Sequence, residues 1–426
     1  MKQYPTYKES GVQWIGLIPE HWEAYPIKWY LQLCKGNKPA ELVESGEEPY
    51  VTMDYIRNRE NKVCMYPANT DGLVHIEDND ILILWDGANA GEVVLGRKGY
   101  LSSTMALCSF DNKVANKEYG YYFLKSLEPI FKQYAGGTTI PHFDSSVLFE
   151  YNYPLPSLSE QQTIAQFLDS KTAKIDESVL LYEQQKADLV EYRKALISDT
   201  VTRGLNPNVP LKDSGIQWLG QIPEEWNVVP LKSLLRLLTD GTHQTPTYID
   251  SGIPFISIKD MSSGTIDFSD TKYISEEEHA ILSQHAPVEK GDILFSRIGT
   301  LGVFIKVDTD KVFDIFVSLG LMKIIEGSID TDFLVYYLSS LSVRRYIDIV
   351  KAGEGTSAAK FNLTDVGRTS IVIPSLAEQQ AIVSFLDTKT TMIDEAIHRI
   401  DEQIADLKAY RTALITDAVT GKIDVR

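Results

Sequence analysis

The chain has little cysteine, no basic excess and no long apolar run, and each shortage narrows what it can be. Three cysteines in 426 residues, Cys34, Cys64 and Cys108, stand at unrelated spacings without a Cys-x-x-Cys pair. That excludes a disulfide framework and a cysteine-based metal site, and points to a reducing compartment, the cytoplasm. The best apolar run, Ile81-Leu-Ile-Leu-Trp85, falls far short of the roughly 18 residues of a membrane span, so no membrane partner is expected. The first residues, Met1-Lys-Gln-Tyr-Pro-Thr-Tyr7, lack the apolar core of a secretory leader. Basic charge is equally short. The net charge is −18, with −6 over residues 1–155, −2 over 156–205, −7 over 206–373 and −3 over 374–426. A basic footprint is the usual mark of a nucleic-acid binder, so composition alone argues against one.

Catalytic motifs are missing too. No Gly-x-x-x-x-Gly-Lys-Ser/Thr loop is present for ATP, no Asn/Asp-Pro-Pro-Tyr/Phe for base methylation, and no Ser/His/Asp set. Pro287-Val-Glu-Lys290 has the look of a nuclease acid–lysine pair but lacks its upstream acid. A binding protein with no catalytic residue, metal site or cofactor of its own is therefore expected. The hydrophobic content of 43% and charged content of 23% are ordinary for a globular chain with sizeable cores. The length calls for more than one domain.

What is present is repetition. Ser10-Gly-Val-Gln-Trp-Ile-Gly-Leu-Ile-Pro-Glu-His-Trp22 recurs as Ser214-Gly-Ile-Gln-Trp-Leu-Gly-Gln-Ile-Pro-Glu-Glu-Trp226. Pro156-Ser-Leu-Ser-Glu-Gln-Gln162 recurs as Pro374-Ser-Leu-Ala-Glu-Gln-Gln380, and 27 of the 50 positions from there to Leu205 and Ile423 are identical. Between these anchors only points match: Pro49-Tyr-Val with Pro254-Phe-Ile, Asp80-Ile-Leu with Asp292-Ile-Leu, Phe143 with Phe361. The plan is a variable block (1–155), a constant segment (156–205), a second variable block (206–373) and a second constant segment (374–426). The end of the second constant segment finds its continuation at the N-terminus. The chain thus reads as a circle cut at one point, with pseudo-twofold symmetry and neighbouring termini.

Each constant segment opens with Pro and then Ser-x-x-Glu, Ser157 with Glu160 and Ser375 with Glu378. This is a capping box, in which serine takes one orphan amide and glutamate reaches back to another. Apolar residues follow at helical spacing: Ile382, Leu386, Ile393, Ile397, Ile400, Ile404, Leu407 and Leu414 in the second copy, with matching positions in the first. Neither stretch holds Pro or Gly before Gly204 and Gly421. Helices of about 40 residues, roughly 60 Å long, are expected to pair antiparallel as a coiled coil. The variable blocks mix short β-rich runs (Ile253–Ile258, Asp292–Phe295, Ser370–Ile373) with helical stretches at Tyr119–Lys125 and Tyr336–Tyr346. The fold class is α+β: two mixed recognition domains separated by two long antiparallel helices.

Several loops in the blocks combine Gly, Thr, Ser, His and Arg: Asp240-Gly-Thr-His-Gln-Thr-Pro246, Ser296-Arg-Ile-Gly-Thr300, Gly353-Glu-Gly-Thr-Ser357 and Gly136-Gly-Thr-Thr-Ile-Pro-His142. Small residues let a backbone approach phosphates while Arg, Lys and His reach base edges. Taken singly, such loops are also ordinary turns.

In combination, the doubled Ser-Gly-x-Gln-Trp-x-Gly-x-Ile-Pro-x-x-Trp, the doubled Pro-Ser-Leu-x-Glu-Gln-Gln-x-Ile and the Tyr-Arg-x-Ala-Leu-Ile-x-Asp-x-Val-Thr at 192–202 and 410–420 resemble the specificity subunit of type I restriction–modification systems. Asp240–Pro246 and Gly291-Asp-Ile-Leu-Phe-Ser-Arg-Ile-Gly-Thr-Leu-Gly302 are also typical of that family. The resemblance covers essentially the whole chain. It implies that each variable block reads one half of a split, asymmetric site on double-stranded DNA. The helices would then set the unread spacer and dock two modification subunits, which carry S-adenosylmethionine and methylate adenine. Restriction subunits, using ATP and Mg, would join to translocate and cut.

Two rival readings are a coiled-coil scaffold without DNA specificity and a methylation-only complex without a restriction partner. Candidate DNA contacts are Thr242, His243, Thr245, Lys259, Arg297 and Lys360 in the second block, and Arg57, Arg59, Asn89, Thr139 and His142 in the first. The first block reads Asp80-Ile-Leu-Ile-Leu-Trp-Asp-Gly-Ala-Asn89 where the second has its arginine, so the role of Arg297 does not transfer. Arg297→Ala is expected to weaken specific methylation without unfolding the chain.

Overall fold

Residues 2–58, 64–135, 141–261, 264–353 and 360–426 are described by the computed structural model. They form two compact units. Unit 1 joins Met1–Glu183 with Asp401–Arg426, and unit 2 is Gln184–Ile400. The contacts thus cut each constant segment in two and give one part to each unit.

Unit 1 is built on a four-stranded antiparallel sheet of β1 (Leu31–Lys35), β2 (Ile81–Leu84), β3 (Val93–Leu95) and β4 (Met105–Phe110), in the order β3-β2-β4-β1. The run Ile81–Leu84 shows no polar alternation because both faces of its strand are covered, and all four residues are buried. Ile81 and Ile83 join Phe123, Leu127 and Phe131 of the helix Lys117–Tyr134. Leu82 and Leu84 join Val51, Ile76, Leu101 and Met105 in a second core. In that second core Tyr50–Val51 pairs parallel with Gly99–Leu101, which also pairs antiparallel with His75–Ile76.

The chain then enters α1 (Leu158–Arg203). Unit 2 repeats the sheet with β5 (Leu235–Asp240), β6 (Ile293–Ser296), β7 (Phe304–Lys306) and β8 (Leu319–Ile324), in the order β5-β8-β6-β7. Its two cores repeat as well. Ile293 and Phe295 pack with Phe333 and Tyr337, while Leu294 packs with Ile256, Ile315 and Leu321. The parallel pair returns as Ile253–Ile256 with Asp314–Ile315, but the third strand, Lys272–Ile274, adds to the opposite edge. The helical stretch expected over Tyr336–Tyr346 is two helices, Thr331–Leu338 and Leu341–Gly353. The break falls at Ser339-Ser340, where the Ser340 hydroxyl takes the Val343 amide at 3.4 Å and starts the second helix.

The second constant segment is α2 (Leu376–Val419). The two helices run antiparallel within each unit. In unit 1, Arg411 meets Asp176 at 2.9 Å and Lys408 meets Glu183 at 3.6 Å, over buried Ile175 and Leu414. In unit 2, Arg193 meets Asp394 at 3.4 Å, with Val201, Ile382 and Leu386 buried nearby in sequence. These exposed ion pairs set alignment more than stability. At the end of α2, Gly421 takes a φ of +73°, and the Lys422 amide bonds the Asp417 carbonyl at 2.8 Å, a glycine stop that leaves carbonyls satisfied. The termini are neighbours inside unit 1: the Asp424 amide bonds the Lys2 carbonyl at 2.9 Å, and the Arg426 guanidinium lies 4.8 Å from the Tyr4 ring.

The capping box is half formed. The Glu160 and Glu378 amides each donate to their serine hydroxyl at 3.3 Å, as the spacing predicts. The carboxylates go elsewhere. Glu160, buried, accepts from Tyr4 Oη and lies 3.0 Å from His21 Nε2, while Glu378 accepts from Trp226 Nε1 at 3.0 Å. The repeated aromatic motif and the repeated helix start are therefore two sides of one contact in each unit.

Candidate nucleic-acid interface

In unit 2 the chain turns sharply after β5. A Cβ on Gly241 would lie 2.1 Å from the Ile315 carbonyl oxygen, so only glycine lets Thr242 swing in to bridge Phe316. Gly241→Ala is expected to displace this loop and lower stability by about 1–3 kcal/mol, read as a lowered unfolding midpoint. The Thr242 hydroxyl accepts the Gln244 amide at 3.2 Å and shapes the loop that exposes His243 and Thr245. Beside it, the Arg297 amide donates to the Ser318 carbonyl at 2.9 Å, the Phe361 amide donates to the Arg297 carbonyl at 2.9 Å, and Lys360 bridges Ile298. The Ile258 amide donates to Ser318 Oγ at 3.3 Å, which brings the turn carrying Lys259 to the same end of the sheet. Lys259 Nζ donates to the Asp270 carbonyl at 2.7 Å.

At the centre of this end, Arg297 donates to the Asp240 carboxylate, and the two residues are only 9% and 7% exposed. His243 Nε2 lies 3.0 Å from the same carboxylate. His285, absent from the sequence candidates, lies 2.9 Å from Thr239 Oγ1 and 3.7 Å from Asp240. Both imidazoles are exposed, so the outer surface belongs to them while the arginine is held beneath. At the far end of β6 the suspected acid–lysine pair divides. The Glu289 carboxyl is held below its usual range by the Lys323 ammonium that bonds it, whereas Lys290 turns to Asp310.

The strand registers give the counterpart in unit 1. Lys35 stands opposite Ala106, which Ile83 pairs from the other side, as Asp240 stands opposite Gly320, which Phe295 pairs from the other side. The Trp85 amide donates to the Thr104 carbonyl, as that of Arg297 does to Ser318, and the Phe143 amide donates to the Trp85 carbonyl. Lys35 therefore occupies the place of Asp240, and Trp85 that of Arg297. Lys35 Nζ sits 5.1 Å from the Trp85 ring centroid and 3.2 Å from Asp86 Oδ2, while His142 Nδ1 is 2.6 Å from Asp86 Oδ1. Asn89 lies exposed in the following turn, its carbonyl taking the Glu92 amide, and Glu92 also pairs with Arg57. The structure thus gathers His142 with Lys35 and Asp86, and Arg57 with the Asn89 turn. Arg59 and Thr139, and most of the Gly353–Ser357 loop, lie outside the described residues.

The missed residues Lys35, Asp86 and His285 carry one faint signal. Lys35 precedes Gly36 as Asp240 precedes Gly241, and a Cβ on Gly36 would lie 2.2 Å from the Ser102 carbonyl oxygen.

Two like units, each with a polar cluster at one end of an antiparallel sheet, define a duplicated recognition module. The family model for the type I restriction modification DNA specificity domain matches residues 19–180 and again 223–405, and the chain belongs to that family. It is 30% identical to the type I restriction enzyme MjaVIII specificity subunit of Methanocaldococcus jannaschii, over 99% of this chain and 97% of that one. It is 23% identical to the EcoBI specificity subunit of Escherichia coli, over 81% and 73%. Among solved structures, a chain from a study of complex assembly and conformational transition of the type I R-M system shares the fold, with a TM-score of 0.71, 17% identity and 95% and 99% coverage. No helix among the described residues is long and apolar enough to cross a membrane.

Proposed function

We propose that this chain directs a type I restriction–modification complex to an asymmetric, two-part site on double-stranded DNA, and performs no bond chemistry itself. The observation that carries the reading is the pair of matched strand ends: one four-stranded sheet order, with Lys35 and Trp85 in unit 1 against Asp240 and Arg297 in unit 2. Like folds with unlike side chains at the reading edge call for two different half-sites. The DNA contacts proposed for unit 2 are Thr242, His243, Thr245, Lys259 and Lys360, with Arg297 beneath them. Those for unit 1 are Arg57, Asn89 and His142, with Arg59 and Thr139 carried from the sequence alone.

The helices would fix the unread spacer and dock two modification subunits, which bring S-adenosylmethionine for adenine methylation. Restriction subunits would bring ATP and Mg. Exposed Leu180 and Leu181 in unit 1, and Tyr192 and Met392 in unit 2, offer apolar surface on the helices for such docking. The acidic total is compatible with DNA binding because affinity follows local phosphate contacts, many of which the partners would supply.

Exchanging residues 206–373 for the corresponding block of another specificity subunit tests the reading. The expected result is a methylation motif altered in one half and unchanged in the other. Alteration of both halves, or of neither, would contradict it.

A further inference from the structure

Lys35 differs from Arg297, the cation at the matching strand end of unit 2. In unit 2 the arginine is shut in against Asp240, with 11% of its side chain exposed. In unit 1 the carboxylate has moved to Asp86, and Lys35 keeps 42% of its side chain exposed. It is nevertheless not a loose surface lysine. Its ammonium lies over the Trp85 indole and against Asp86, whose other oxygen is taken by His142. Trp85 is itself held edge-on by Phe143, with ring centroids 5.4 Å apart.

A lysine pinned on an aromatic face and a carboxylate has already lost much of the rotamer freedom that binding would otherwise remove. Its remaining N–H bonds are aimed, where those of a free lysine sweep. Aimed donors suit a base edge, whereas mobile ones suit a phosphate.

We propose that Lys35 is the specificity-determining cation of unit 1, donating to the O6 and N7 acceptors of a guanine in the half-site that unit 1 reads. This rests on the DNA-reading function proposed above. His142 and Trp85 act through it as positioning residues, by holding Asp86 and the cation.

The test uses the full chain with its modification subunit, and maps methylated adenines in wild type, Lys35→Met and Lys35→Arg. The wild-type motif is expected to carry a guanine in one half that Lys35→Met no longer requires, with the other half intact. Binding of Lys35→Met to the wild-type duplex should fall about tenfold or more, while Lys35→Arg keeps the guanine. Thermal melting of the Lys35→Met chain should match wild type, since the residue is exposed. An unchanged motif in Lys35→Met overturns the proposal alone, and so does a uniform loss of binding with the guanine still required, which marks a phosphate contact. A wild-type complex with no motif at all removes the underlying reading and the proposal together.

Discussion

Arg297→Ala is expected to cost about 3–5 kcal/mol of stability in unit 2, because it leaves the buried Asp240 carboxylate without its cation. This revises what the sequence suggests, where the residue is a candidate DNA contact whose loss spares the fold. His243 and His285 remain beside Asp240 and place the cost toward the lower end of that range. Adding Asp240→Asn should return part of the loss, since the uncompensated charge goes with it, and the double-mutant coupling should be about 1–3 kcal/mol. Denaturant melts of the four proteins measure this directly. An Arg297→Ala chain that unfolds at the wild-type midpoint would show that the pair does not form as a buried unit. Specific methylation should fall in the same variant, because the loop with Thr242 and His243 is anchored through Asp240.

Gln161→Leu should be nearly as damaging, although glutamine to leucine looks mild. Gln161 is fully buried and accepts the Asn116 amide at 2.7 Å, while its own amide donates to the Val114 and Pro156 carbonyls at 3.0 Å. Three backbone groups would lose their partner at once, each at about 1–3 kcal/mol when left unsatisfied. A net loss of about 3 kcal/mol follows after partial relaxation. Gln379 does the same in unit 2, taking the Asp330 amide at 2.7 Å and bonding the Pro374 carbonyl. In both units the glutamine ties the start of a long helix to the residue that caps a helix of the recognition domain. The adjacent Gln162 and Gln380 are exposed, and leucine there should change stability by no more than about 0.5 kcal/mol. Equal losses at Gln161 and Gln162 would sink this account of the repeated motif.

The architecture was legible wherever a residue's role is set by near neighbours in the chain. Helix stripes, the serines at the helix starts and the glycine stops follow local spacing, and α1 and α2 run from Leu158 to Arg203 and from Leu376 to Val419. Roles set by distant partners were not legible. Glu160 forms the pattern of a local cap, yet its carboxylate meets Tyr4 and His21, more than a hundred residues away. The strand Ile81–Leu84 gives no alternation from which its two faces could be told apart.

The candidate interface was half legible for the same reason. The loop Asp240–Pro246 and Arg297 stand out as motifs, and the structure does bring them together. Lys35 and Trp85 hold the same two positions with neither identity nor charge in common, and only strand register reveals the match. His285 reaches the cluster from a turn that carries no motif. Sequence divergence between the blocks hides correspondence most where recognition would need it to differ.

The most direct test is to express the chain with its modification subunit in a host lacking adenine methylation, and to map methylated adenines by single-molecule sequencing. A split motif, with two unlike halves around an unread spacer of fixed length and one methylated adenine on each strand, is the predicted result. An assembled complex that methylates no defined motif, or a single uninterrupted one, would contradict two units reading two different half-sites.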